Sequence, residues 1–470
     1  MGTKSHTLRS IPSVDRLLND LGAAVAIPRP LVAQLARDVL DEIRTSGTVP
    51  EYAQILELLR DEVHGLGQTR LQAVINATGI PLHTNLGRSP LPAVAIKAIT
   101  DVVDGYCNLE FQLGDGTRGK RGSYVERCLK ALFSCSGAAV VNNCASALVL
   151  ALSQIVRERR PEVVISRGEL VQIGGGFRIP EILSASGAVM REVGTTNRTT
   201  LEDYEAAVTD QTGLILVVHR SNFYMKGFVE APGLEELAAL GQKRGVPVLY
   251  DQGSGAVLDP GLLDGVEHER TIGSALAQGV DLVCFSGDKL FGGPQAGLIC
   301  GREELVSAMK TNPMFRALRC DKLTLSALQA VVEVYLENDS KLAEGLSPDL
   351  PALSCLAQSL AELEARAAKF QEQLSSSGLR VQRVDTETEV GGGTLPQSRM
   401  PSVGITIFCE RRSAQKLASL LREGAPPVVG YVANQLVHLD LRTVLPEQDD
   451  VLLECLRSVA SRVMGIKEEG

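Results

Sequence analysis

Phe285-Ser286-Gly287-Asp288-Lys289-Leu290-Phe291-Gly292-Gly293-Pro294 closes a short apolar run at 282–285 and turns at once on two glycines. A lysine directly after a buried strand is an odd place for a solvated charge. Read alone it is either a surface lysine at a strand end or an amine desolvated to lower its pKa, as a Schiff-base lysine needs to be. Thirty-eight residues upstream, an apolar run at 246–250 ends in Asp251, followed by Gln252-Gly253-Ser254-Gly255. In parallel sheets ligands bind outside the carboxyl ends of strands, which is where this carboxylate falls. Further upstream, the run 138–141 leads into Asn142-Asn143-Cys144-Ala145-Ser146 and a helical pattern. A helix N-terminus opened by small and polar residues offers free N–H groups and a positive dipole end to a phosphate. An ordinary loop Asp and a plain N-cap explain these two features equally well when each is taken singly. Strand–turn–helix, strand–Asp and strand–Lys in that order point to pyridoxal 5′-phosphate, whose phosphate, ring nitrogen and aldehyde need those three groups.

The surrounding texture agrees. From about residue 76, β-branched runs (138–141, 163–165, 213–218, 246–250, 282–285) alternate with helical stretches such as 145–157 and Leu234–Arg244. That alternation predicts crossover units and a mostly parallel sheet flanked by helices. Residues 1–75 read as a helical unit, with Val14, Leu17, Leu18 and Leu21 behind an N-cap at Ser13 and a second stripe over 31–43. A helical stretch at 326–346 leads to Ser347-Pro348 and Leu350-Pro351, which mark a joint. Beyond it, helices at 353–375, 414–422 and 448–463 and strands at 379–384, 402–408 and 435–441 predict a smaller α+β domain. The expected division is therefore 1–75, 76–345 and 346–470. Gly391-Gly392-Gly393 reads as a flexible loop, because no helix pattern follows it.

The 470 residues carry 47 Lys and Arg against 56 Asp and Glu, a formal charge of −9, and 44% are hydrophobic. Wholesale disorder and a uniformly basic surface are excluded, whereas local nucleic-acid binding is not. No apolar run is long enough for a membrane span, and the first ten residues lack the apolar core of a secretory signal. His6 breaks the myristoylation pattern. Ten cysteines without metal spacing fit free thiols in a reducing cytoplasm, and no metal site is expected.

Longer strings carry a resemblance. Residues 76–88 (NATGIPLHTNLGR), 118–123 (RGKRGS), 173–180 (IGGGFRIP), 192–198 (EVGTTNR), 286–297 (SGDKLFGGPQAG) and 439–443 (LDLRT) resemble the bacterial selenocysteine synthase family, the L-seryl-tRNA(Sec) selenium transferases. The resemblance covers nearly the whole chain. It implies an α/β fold of the aspartate-aminotransferase-like type (fold type I), with a mostly parallel large domain, a small C-terminal α+β domain and an N-terminal helical tRNA-binding domain. It implies Lys289 as the lysine bonded to the cofactor, Asp251 as the partner of the ring nitrogen and His219 as the residue over the ring. Asn143, Ala145, Ser146 and Ser286 complete the implied cofactor contacts. The implied reaction converts tRNA(Sec)-bound serine, through an aminoacrylyl-tRNA, to selenocysteinyl-tRNA with selenophosphate as the selenium source. Arg88, Arg316 and Arg319 match positions for the selenium-bearing anion, with Asp288 beside them, and guanidinium forks suit such oxyanions. A homo-oligomer built as a ring of dimers is also implied.

Residues 1–37 hold five Lys/Arg against two acids, while 38–75 hold three against seven. Contact with tRNA is therefore expected near Lys4, Arg9, Arg16, Arg29 and Arg37. Residues 114–130, with five basic residues against two acids, are expected beside the active site. The sequence departs from the family pattern at the short loop around Tyr124 and at Cys144, Ser146, Gly176, Arg220 and Tyr431, which bears on substrate. Cys144 and Cys284 read as packing cysteines. Two other readings stand beside the first: a related pyridoxal-phosphate lyase on a small amino acid or amino sugar acid, and a non-catalytic tRNA-binding scaffold. The N-terminal unit speaks against the lyase, and the intact Lys289 and Asp251 against the scaffold.

Overall fold

Consecutive residues of the central strands are apolar on both faces, and the computed structural model shows why. It describes residues 10–22, 27–156, 159–263, 265–338 and 350–465. Seven strands form one sheet: β1 (Gly137–Val141), β2 (Glu162–Ser166), β3 (Val189–Val193), β4 (Thr212–Val218), β5 (Val248–Gly253), β6 (Leu282–Ser286) and β7 (Gly297–Gly301). Their spatial order is β1-β7-β6-β5-β4-β2-β3. From β6 to β3 every neighbouring pair is parallel, and only β7 runs against its neighbours. In β6, Val283 and Phe285 enter one core while Leu282 and Cys284 enter the core on the opposite face. Helices cover both faces, so the strands lose the polar alternation of a half-exposed sheet. Parallel pairing has a functional consequence: the carboxyl ends of β4, β5 and β6 all open on one edge.

A second sheet lies in the C-terminal part, with β8 (Arg380–Thr388), β9 (Met400–Phe408), β10 (Tyr431–Ala433) and β11 (Leu436–Asp440) in the antiparallel order β8-β9-β11-β10. Its own core includes Leu363, Ile405, Leu417, Leu439 and Leu456. Ile75 and Ala77 belong to that core too, because Ile75-Asn76 pairs in parallel with Val428-Val429. The residues that open the cofactor-binding region in sequence are thus anchored in the C-terminal core. Arg442, 2% exposed, donates to four backbone carbonyls, those of Cys355, Leu356, Gln358 and Pro401. The LDLRT string is a structural staple. Of the joint expected at Ser347-Pro348 and Leu350-Pro351, the first pair lies outside the described residues, while Leu350 is buried and directly precedes the helix Pro351–Ala357.

Packing divides the chain between Ala73 and Val74. The first unit holds α1 (Val14–Leu21), α2 (Arg29–Ser46) and α3 (Tyr52–Gln68) around Leu17, Ala36, Leu40, Ile55 and Leu59. Ser13 caps α1, its hydroxyl accepting the Arg16 N–H. Arg16, Arg29 and Arg37 are exposed on this unit, with the Arg16 guanidinium 4.3 Å from the centre of the Tyr52 ring. Lys4 and Arg9 lie outside the described residues.

Candidate active site

Asp251 lies buried near the carboxyl end of β5, and strand register places it beside Val218 of β4 and Cys284 of β6. The next residue of β4's exit, His219, donates its backbone N–H to the Asp251 carbonyl at 2.9 Å. Lys289 follows β6 in a turn closed by Gly287 N–H to the Ala296 carbonyl and Leu290 N–H to the Ser254 carbonyl. The turn is tight enough to require glycine at Gly255, where φ is +76° and a Cβ would lie 2.5 Å from the Ser286 carbonyl oxygen. Ser286 itself is buried as the last residue of β6. Lys289 is 5% exposed, and burial, helped by the Arg88 charge, holds its ammonium below the ordinary lysine range. Cys144, Asp251 and Asp288 oppose that shift without cancelling it. A buried amine of this kind is the one a carbonyl cofactor needs.

The helix α4 (Cys144–Ile155) begins at the same edge. Asn143 is its N-cap and accepts the Ser146 N–H at 2.8 Å. That cap uses the Ser146 amide, leaving the Cys144 and Ala145 amides as the donors of the helix end. A Cβ on Gly297 would lie 2.0 Å from the Asn143 carbonyl oxygen, so β7 must pass this turn as glycine. The Cys144 thiol lies 3.6 Å from Asp251 Oδ1. Burial lifts the Asp251 carboxyl to about 6, against the pull of the Cys144 hydrogen bond and the Lys289 charge. The helix end, the acid and the amine expected from the sequence are therefore one site. Phosphate donors, an anchor for a ring nitrogen and a desolvated amine are the set that pyridoxal phosphate requires, and these residues fit it.

Two carboxylates here were not legible in the sequence. Glu269 is 4% exposed; its Oε1 accepts the Ser254 hydroxyl at 2.8 Å and lies 3.4 Å from His219 Nδ1. That separation brings the groups into contact, but the geometry is not that of a hydrogen bond, and Nδ1 has no other partner. Burial pushes Glu269 up to about 7 and lowers His219 to about 4, so the ring is neutral at physiological pH. Glu169, also raised to about 7 by burial, accepts the Val218 N–H at 3.0 Å. Behind His219 lies a cavity of about 440 Å³ lined by Arg220, Tyr224, Glu269, Arg270 and Gln397 among others. In sequence, Glu267-His268-Glu269-Arg270 is indistinguishable from a solvated loop.

The glycine run is also placed differently from expectation. A Cβ on Gly391 would meet Ile80 at 2.2 Å, and one on Gly393 would sit 3.9 Å from Lys289 Nζ. The run is packed against residues 80–82 and covers the amine, rather than forming a free loop.

The three expected arginines fall in different places. Arg88 adopts a φ of +62°, rare for a side-chain-bearing residue, and donates to Asp288 Oδ2 at 2.7 Å. Its Nε is buried without a partner. Arg319 donates to Glu110 Oε1 at 3.1 Å, and Arg118 and Arg121 share that carboxylate. Glu110, held below the usual carboxylate range by the Arg118 hydrogen bond first, gives the basic stretch a centre that the sequence did not reveal. The Leu318 carbonyl accepts the Asn142 N–H, which joins this cluster to the turn before α4. Arg316 is exposed on the short helix Pro313–Ala317. At the other departures, the Tyr124 hydroxyl donates to Glu333, Gly176 has a φ of +82°, and Tyr431 stacks on His438 with centroids 4.9 Å apart.

A family model described as L-seryl-tRNA selenium transferase matches residues 74–445, most of the chain. The chain belongs to the L-seryl-tRNA selenium transferase family. A second model, selenocysteine synthase N terminal, matches residues 8–44, within the helical unit. The L-seryl-tRNA(Sec) selenium transferase of Moorella thermoacetica is 43% identical, covering 96% of each chain. That of Carboxydothermus hydrogenoformans is 40% identical over 98% of this chain and 99% of its own. Among solved structures, D-glucosaminate-6-phosphate ammonia-lyase superposes with a TM-score of 0.56 at 19% identity, covering 85% of this chain and 98% of that one. That likeness bears on fold alone. With the sheet order above, it bears out the expected α/β fold of the pyridoxal-phosphate fold type I transferases.

Proposed function

We infer that this transferase converts L-seryl-tRNA(Sec) to L-selenocysteinyl-tRNA(Sec) with pyridoxal 5′-phosphate as its cofactor. One observation carries the reading: a chain related end to end to curated selenium transferases brings Lys289, Asp251 and the Asn143 turn to one sheet edge. When bound, the cofactor supplies an electron sink for charge developing at the seryl α-carbon, which lets the β-hydroxyl leave. Lys289, once released from the cofactor, is the base for the α-proton, because its burial favours the neutral amine. Asp251 and the α4 amides fix the two ends of the cofactor. His219, kept neutral by burial, presents an uncharged ring to it. Arg88 offers its unpartnered Nε to the selenium-bearing anion, for which we propose selenophosphate, and Asp288 fixes the guanidinium. Arg316, exposed on its short helix, and Arg319, held by Glu110, are the further guanidinium groups proposed for that anion, and Ser146 and Ser286 are proposed to flank the cofactor.

The helical unit would carry tRNA contacts on the exposed Arg16, Arg29 and Arg37. Tyr106, Phe111, Leu113 and Tyr124 are all exposed within one short stretch of sequence, which supports a homo-oligomer, proposed as a ring of dimers. No helix among the described residues is long and apolar enough to cross a membrane. Free cysteines support a cytoplasmic location. The direct test supplies seryl-tRNA(Sec) and selenophosphate in one reaction and free L-serine in another. Selenocysteinyl-tRNA formed only in the first supports the reading; turnover of free amino acids alone would transfer it to the lyase class.

A further inference from the structure

We propose that Cys144 is a positioning residue for Asp251: its thiol donates to Oδ1 and ties the anchor of the cofactor's ring nitrogen to the helix end that receives the phosphate. The inference rests on the cofactor reading above, but on none of the tRNA or selenium chemistry.

Three observations carry it. The sulfur lies 3.6 Å from Asp251 Oδ1, across 107 residues of sequence, within reach of a thiol hydrogen bond. Cys144 is the first residue of α4, so its backbone amide belongs to the phosphate end while its side chain points to the acid. Burial keeps the thiol well above its ordinary pKa, so it remains an S–H donor at neutral pH rather than a thiolate. The contact thus has one sense, proton on sulfur and charge on the carboxylate. A hydrogen bond to the charged form favours that form, and here it counters the burial that raises Asp251. The titratable groups facing Asp251 are Cys144 from α4, Cys284 and Tyr250 from β6 and β5, and Lys289 from the turn. Cys284 is fully buried beside Asp251, and no hydrogen bond joins the two among the described contacts. Cys144 is thus the thiol in contact, and more than the packing residue its sequence suggests.

The test uses three holoenzymes, Cys144→Ser, Cys144→Ala and Cys144→Val, beside the natural protein. Each is titrated with pH while the visible band of the bound cofactor is followed, and cofactor affinity is measured by spectral titration of the stripped protein. Without the donor, Asp251 is a weaker counter-ion to the ring nitrogen, so the ring withdraws less charge from the Lys289 linkage. That linkage then holds its proton to higher pH. The expected result for Ala and Val is an upward midpoint shift of roughly half a pH unit and roughly threefold weaker cofactor binding. Serine, which keeps a donor, should return most of the shift, an outcome that packing alone does not produce. Val fills the space without donating, so a misfolded Ala variant leaves the comparison intact. A Val titration that superimposes on the natural protein overturns the proposal, as does a Ser shift equal to that of Val. A natural protein with no visible band would instead sink the cofactor reading itself.

Discussion

Glu269→Gln should stabilise the cofactor-free protein, and by an amount that depends on pH in a defined direction. Glu269 is buried, its Oε1 accepts the Ser254 hydroxyl, and burial lifts its pKa from the usual 4.5 to about 7. Below about pH 4.5 the carboxyl is protonated in folded and unfolded chains alike, and the native protein is spared any charge-burial penalty. Between the two values the unfolded chain releases the proton while the folded chain keeps it, so stability falls as pH rises. Above about 7 the penalty is complete. A shift of this size corresponds to roughly 3 kcal/mol. Neighbouring charge does not offset it, since His219, the base in contact, is lowered to about 4 and stays neutral. Asp259 and Glu267 add repulsion, and the Lys289 charge is a lesser opposing influence. Glutamine keeps an oxygen for Ser254 and removes the ionisation. For the larger unit, Val74–Gly470, an unfolding entropy near 0.8 kcal/mol/K turns the gain into a melting temperature about 4 °C higher. Differential scanning calorimetry of both proteins at pH 5 and pH 8 reads it directly. The difference should be small at pH 5 and near its full value at pH 8. Equal differences at the two pH values, or destabilisation at pH 8, would refute the electrostatic picture of this site.

Three further outcomes can be checked with single variants. Gly297→Ala places a methyl 2.0 Å from the Asn143 carbonyl oxygen, so it should displace the α4 turn at a cost of about 3 kcal/mol or more; cofactor content per purified chain measures this, and full occupancy would contradict it. Arg88→Ala leaves Asp288 unpaired and removes the anion contact, so selenium transfer should fall about 30-fold or more while the visible band and tRNA affinity persist. Deleting residues 1–73 removes a unit with its own core. Electrophoretic mobility assays should then show tRNA binding lost, while absorbance shows the cofactor band kept; retained tRNA affinity would sink the assigned role.

What could be read from the sequence was whatever local pattern and sheet topology determine. Lys289, Asp251 and His219 each follow an apolar run. Parallel pairing sends the ends of such runs to one edge, so their convergence follows from the order of elements. The Asn143 turn was legible because an N-cap is written within four residues. What stayed hidden depends on packing between distant segments. Glu110 and Arg319 are 209 residues apart, and nothing local marks them as partners. Glu269 is chemically an ordinary surface acid until the fold buries it beside His219. Gly391–Gly393 has the composition of a free loop, and only its fit against Ile80 and Leu82 places it over the lysine. The Cys144–Asp251 contact belongs to the same class: an apolar-looking thiol whose role appears once α4 meets β5.

The cofactor's bond to Lys289 is open to one decisive measurement. Borohydride reduction of the purified holoenzyme fixes the cofactor to whichever lysine holds it, and peptide mass mapping then locates the modified residue. The expected result is a phosphopyridoxyl group on the peptide containing Lys289, absent from a Lys289→Ala variant. Modification of a different lysine, or unchanged labelling in that variant, would contradict the placement of the active site at the end of β6.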